Sequence, residues 1–120
     1  MPPDSDSYLV RIAELEIDPS RLEEYRALLA EEVAASVALE PGVLSLLATA
    51  LRDEPHQIRL FEVYASRAAY EAHLETPHFL HYKRRTADMV RSLRLVDTDP
   101  VALRSKALPG PEDGGAGRSG

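Results

Sequence analysis

The sequence contains no cysteine, no tryptophan and no asparagine. The first absence removes disulfides, thiolate metal ligation and a cysteine nucleophile together. Excess positive charge is lacking too: 14 Lys and Arg against 20 Asp and Glu leave a formal net charge of −6. No nucleic-acid partner is therefore expected, because grip on a phosphate backbone comes from clustered cations. The run Lys83-Arg84-Arg85 is too short to change this and reads as a solvated helix face. No apolar stretch approaches the ~20 residues needed to span a bilayer, and "MPPDSDS" has neither the basic nor the apolar region of a secretion signal. Gly-x-Ser-x-Gly and phosphate-binding glycine loops are missing as well. These absences point to a soluble, cytoplasmic protein without membrane association. A length of 120 residues suits one domain.

Residues 1–7 and 104–120 are expected to be disordered. The first segment is polar with two prolines, and the second, from Leu108 on, is dominated by Gly, Pro and charge, so neither can bury enough apolar surface to order itself. Between them, residues 8–103 form the single expected domain. "YLVRIAELEI", residues 8–17, reads as a strand. Asp18 then caps a helix whose first position is Pro19. Leu22, Tyr25, Leu28, Leu29, Val33 and Val37 recur at threes and fours as its apolar stripe, and "EPG" at 40–42 ends it.

"VLSLLATAL", residues 43–51, is a second strand, with Val43, Leu47 and Leu51 expected on one face and Leu44, Leu46, Ala48 and Ala50 on the other. Both faces are apolar, so each requires a cover. "HQIRLFEVY", residues 56–64, is the third strand, with Ile58, Leu60, Glu62 and Tyr64 on one face and Arg59, Phe61 and Val63 on the other. Ser66 caps a helix from Arg67 to about Leu74. Thr76-Pro77 interrupts it and starts a second helical piece, and "SLRLVDT", residues 92–98, closes the set as a strand. The order βαββαβ is the split unit of α+β, ferredoxin-like proteins, an antiparallel sheet with helices on one face. Two helices can cover only one face, so the bare face is expected to be buried against a second copy in a homodimer.

"EPG" after the first helix, "FEVY" in the third strand and "AAYEAHLETPHF" in the helical segment together resemble the antibiotic biosynthesis monooxygenase domain, the family that includes quinol monooxygenases. The likeness spans about residues 8–98. It implies a dimeric α+β barrel with a pocket between sheet and helices in each subunit. It also implies cofactor-free oxidation of quinols or polycyclic phenols by molecular oxygen, although isomerases, haem-degrading enzymes and members without known activity share the domain. Fold alone does not choose among these. Polyketide oxygenases of the family often use a tryptophan near the end of the strand that holds Glu62, where Tyr64 stands here, or elsewhere in the pocket, and haem-degrading members tend to combine Trp, Asn and His. With neither Trp nor Asn in the chain, haem degradation is disfavoured and polyketide oxygenation less favoured.

Three of the four histidines, His73, His78 and His81, fall between residues 70 and 85. His78 and His81 lie three apart on one helical face and could share an ion. His73 belongs to the other helical piece, so no metal site is expected, and the resemblance implies that no cofactor is needed. On its residues alone His73 reads as a core histidine bonded to a backbone carbonyl. The resemblance places it on the pocket wall, where its unperturbed pKa of ~6.5 suits proton transfer at neutral pH. Glu62, a carboxylate on an otherwise apolar strand face, needs a partner or a task. It either orients His73 as a carboxylate does in a triad or forms an ion pair with Arg11 or Arg59.

Tyr64, Phe79 and Tyr82 offer an aromatic lining for a flat apolar ligand, and Tyr25 either packs in the core or closes the pocket. The expected catalytic set is His73 as base, Glu62 as its orienter and Tyr64 as the partner of the substrate oxygen, with Phe79, Tyr82 and Tyr25 binding substrate. The expected activity is cofactor-independent monooxygenation of a quinol or aromatic small molecule. The alternatives are a proton-shuttling isomerase and a non-catalytic dimeric binding protein.

Overall fold

A computed structural model describes residues 8–108. The expectations for segments 1–7 and 109–120 lie outside the described residues, and 99–108 carry no helix or strand. The chain adopts the expected ferredoxin-like α+β order: β1 (Leu9–Ile17), α1 (Leu22–Leu39), β2 (Val43–Ala50), β3 (Gln57–Tyr64), α2 (Arg67–His73), α3 (Pro77–Thr86) and β4 (Val90–Thr98). The sheet is antiparallel with strand order β2-β3-β1-β4. Among the described residues no helix is long and apolar enough to cross a membrane.

Local chemistry sets the joints between these elements. Asp18 accepts from the Ser20 amide at 3.0 Å and opens a 3-10 turn, Pro19–Arg21, so α1 itself begins three residues later than the proline suggests. Ser66 caps α2 through the Ala69 amide. Thr76 does two jobs at once: its hydroxyl accepts from the Phe79 amide at the start of α3 and donates to the His73 carbonyl, 2.8 Å away, at the end of α2. That bidentate joint fixes the angle between the two short helices.

Two packing details depart from the sequence pattern. A register shift between Val43 and Ser45 is a β-bulge that adds one residue to the edge strand. Val43 is thereby moved onto the helix side with Leu46, where both are buried, while Leu44 is left exposed. In α1 the buried residues are Tyr25, Leu29, Glu32 and Ser36, whereas Val37 is 46% exposed. The inward face therefore carries a carboxylate and a hydroxyl in its C-terminal half.

The main core gathers Ala13, Leu15, Ile17, Tyr25, Leu29, Ile58, Tyr82 and Met89. Gly42 lies against α2. A Cβ there would sit 2.5 Å from the Ala69 Cβ, so Gly42→Ala pushes α2 outward. Overpacking of this kind costs about 1–3 kcal/mol, and thermal unfolding should show a Tm lowered by several degrees; an unchanged Tm would mean that α2 moves freely.

Among the described residues, no helix covers the opposite sheet face. Leu47, Phe61, Ile12 and Val96 are register partners in one row across all four strands. Leu47 and Phe61 are 45% and 43% exposed.

Candidate active site

The helices leave part of the sheet open on the β4 side, where Leu93 and Leu95 are about half exposed. Between sheet and helices lies a cavity of about 340 Å³, at the small end of the usual range for ligand sites. Glu62, Tyr64, His73, Phe79 and Tyr82 all line it. Five of the six residues expected from the sequence thus meet around one space.

Tyr25 is the exception. It is fully buried in the core, and its hydroxyl meets the Tyr82 hydroxyl at 2.5 Å behind the cavity wall. A position on the inner stripe of α1 faces the floor of the sheet rather than the opening. Tyr25 therefore braces Tyr82 and does not border the cavity. Burial pushes the Tyr82 hydroxyl up to about 12, against the lowering effect of its bonds to Tyr25 and Thr86, so it stays protonated.

His73 ends α2, with its side chain 4% exposed. Nδ1 lies 3.0 Å from Glu40 Oε2, and Nε2 lies 3.5 Å from Glu32 Oε2. The carboxylates that orient this histidine are therefore Glu40, at the C-cap of α1, and Glu32, two turns earlier. Glu62 does not fill that role: it accepts a hydrogen bond from the Tyr64 hydroxyl at 2.8 Å. The correction has a simple geometric origin, because Glu62 and Tyr64 lie two apart on one strand face and can reach each other. Arg11, the other partner weighed for Glu62, pairs with Asp97 at 2.9 Å and stacks over the Tyr70 ring at 4.4 Å.

Environment separates the three carboxyl groups. Burial raises Glu62 above the ordinary carboxylate range despite the Tyr64 hydrogen bond. It raises Glu32 as well, although Ser36 Oγ donates to that carboxyl at 2.6 Å. At Glu40 burial acts in the same direction but is outweighed by the hydrogen bonds from His73 and His78, which hold the carboxyl below its ordinary value. Glu40 is thus an ionised acceptor. An ionised carboxylate only accepts, so the His73 Nδ1–H donates to Glu40, and Nε2 is left with Glu32, 3.5 Å away, on the cavity wall.

Replacing Glu62 tests the direction of its shift. Because its folded pKa is raised, its protonated form is favoured; the associated stability is present below the unfolded value of about 4.3 and is lost as pH rises through the folded one. Glu62→Gln keeps the acceptor for Tyr64 and removes the buried charge. Its Tm should match the wild type near pH 4 and exceed it increasingly towards pH 8. A variant less stable at pH 8 would show instead that the ionised carboxylate is paired.

His78 and His81 divide. His78 Nε2 is 2.5 Å from Glu40 Oε2, whereas His81 points to solvent near Glu31. The proline break that separates His73 from His78 in the sequence folds the two rings together, their centroids 6.4 Å apart. Glu40 and Glu32 were not legible as site residues. Their available signals were the position of Glu40 in the "EPG" turn and the helical spacing of Glu32 from Tyr25 and Leu29.

A split βαββαβ domain, with a carboxylate-anchored histidine on the wall of an aromatic pocket between sheet and helices, is the class defined by this geometry. The model of the antibiotic biosynthesis monooxygenase family matches residues 8–85, and the chain belongs to that family. It is similar to a candidate antibiotic biosynthesis monooxygenase from Bacteroides thetaiotaomicron at 46% identity and a TM-score of 0.84, over 86% of this chain and 100% of that one. A candidate monooxygenase from Lactobacillus acidophilus is 30% identical with a TM-score of 0.74, over 75% of this chain and 43% of that longer one. A Mycobacterium tuberculosis protein is 27% identical with a TM-score of 0.73, over 82% of this chain and 100% of that one. No curated protein matches the chain.

Proposed function

We propose that the protein is a cofactor-independent monooxygenase of a quinol or related phenolic aromatic molecule, acting as a homodimer. The observation that carries this reading is His73: buried, anchored through Nδ1 on Glu40, and part of a cavity walled by Tyr64, Tyr70, Phe79 and Tyr82. The monooxygenase names of two similar structures add weight.

A quinol oxidised in this way loses a hydroxyl proton to His73 Nε2, and the phenolate supplies electrons to molecular oxygen. One oxygen atom enters the ring and the other leaves as water, so quinol plus O₂ gives hydroxyquinone plus H₂O with no further reductant. The protein's share of the work is proton transfer, orientation and exclusion of water. Glu40 holds the imidazole in the tautomer that accepts at Nε2, and Glu32, 3.5 Å from that nitrogen, stabilises the imidazolium. Tyr64 donates to Glu62, which leaves its hydroxyl oxygen free to accept from a second substrate hydroxyl. The homodimer, formed across the bare sheet face, covers Phe61 and its row.

The test is oxygen uptake by chelator-treated protein with a panel of quinols and polycyclic phenols. Uptake in proportion to product, lost in a His73 variant, is the expected result. Absence of uptake with every compound would overturn the oxygenase reading, and substrate isomerised without oxygen would replace it with a proton shuttle.

A further inference from the structure

We propose that Glu40, His73 and His78 form a binding site for one divalent transition-metal ion. One ligand atom from each of the three residues lies within 4.8 Å of the other two. Glu40 Oε2 stands 3.0 Å from His73 Nδ1 and 2.5 Å from His78 Nε2. Ligand bonds of about 2.1 Å in a tetrahedron separate neighbouring donor atoms by about 3.4 Å. Both contacts therefore need to open by less than about one ångström, while the two histidine nitrogens already lie within 4.8 Å of each other.

The donor set selects the class of ion. Two imidazoles and a carboxylate suit zinc, iron(II), cobalt or nickel, whereas magnesium and calcium favour oxygen donors. Three protein ligands leave a fourth position for water or another small molecule.

Three further observations support the assignment. Each ligand sits at a helix end whose backbone is held by bonds independent of the cluster. The Glu40 amide donates to the Ser36 carbonyl and its carbonyl accepts from the Val43 amide, the His73 carbonyl is held by Thr76, and His78 occupies the first turn of α3. Next, Glu32 lies 3.5 Å from His73 Nε2 and accepts from Ser36. A carboxylate on the far nitrogen of a ligating histidine is the usual outer partner of a metal-bound imidazole. Finally, a surface depression between α1 and α3 borders His78 and is lined by Glu31, Glu32 and His81 with no lysine or arginine, which gives a cation an approach of favourable charge.

Occupancy has a consequence that rests on the function proposed above. A metal on Nδ1 displaces the proton shared with Glu40, so neutral His73 carries its proton on Nε2 and no longer accepts one from substrate. The ion then acts as an inhibitor of the site.

Calorimetric titration of untagged, chelator-treated full-length protein with Zn²⁺, and the visible absorption of added Co²⁺, test the site without any substrate. One ion per wild-type chain is expected. His78→Gln, which keeps a donor to Glu40, should weaken binding about 100-fold, and His81→Gln should leave it unchanged. Failure of the wild type to bind, or undiminished binding by His78→Gln, overturns the proposal. Equal losses in the two variants do so too, because they would place the ion on the exposed His78–His81 pair. Oxygen uptake is read separately, so failure of the oxygenase reading leaves the binding result standing, and the reverse also holds.

Discussion

His73→Gln should lower kcat with a quinol substrate by about 10²- to 10⁴-fold, the usual contribution of a positioned general base, equivalent to about 2.7–5.4 kcal/mol of barrier. Glutamine retains an amide that can donate to Glu40, so the anchor survives while the proton acceptor is lost. The aromatic walls are untouched, and KM should change only a few-fold. Phenols of increasing acidity provide a sharper signature. As more of the substrate enters already ionised, the base has less to do, and the ratio of wild-type to variant rates should shrink. A structural histidine would give a constant ratio, and a variant within tenfold of wild type on every substrate would remove His73 from the chemistry. Glu40→Gln is milder by the same logic: the acceptor for Nδ1 persists, but its charge does not.

The sequence and the structure agree most closely where one period dominates. Alternation in β1 and β3 places Glu62, Tyr64 and Leu60 on the helix side, and the Thr76-Pro77 signal marks the joint at which α2 gives way to α3. Agreement fails where a tertiary partner decides. Val43 follows the wrong face under strict alternation because the bulge is set by pairing with Tyr64 and Val63. On α1, Val33 of the expected stripe packs against the core, but Val37 is exposed while Glu32 and Ser36 take the inward positions. Two polar groups can be buried there because they satisfy each other and because His73 arrives opposite from a segment more than thirty residues away.

The hub of the site was hidden for the same reason. Glu40 serves His73 and His78 simultaneously, a contact that exists only once α1 ends beside the α2–α3 joint. Polar residues placed against the hydrophobic pattern are thus the ones around which the site is organised, and no single-segment periodicity can reveal them.

Phe61→Arg should convert a dimer into monomers. Phe61 sits in the Leu47–Phe61–Ile12–Val96 row on the sheet face that the helices leave bare. A stable interface buries about 800 Å² per partner, and an aromatic anchor at its centre is typically worth about 2–4 kcal/mol. The arginine also introduces like charges from both copies into the interface, so the Kd for dimerisation should rise by about 30- to 1000-fold. Sedimentation of wild type and variant side by side measures this. A monomeric wild type, or a variant that sediments as wild type, would sink the proposed dimer. Phe61 precedes Glu62 in the chain but points to the opposite face, so the substitution touches no cavity residue. A monomer that still consumes oxygen would mean that one chain holds a complete pocket. A folded monomer without activity would mean that the partner's sheet keeps β3, and with it Glu62 and Tyr64, in the register the cavity requires.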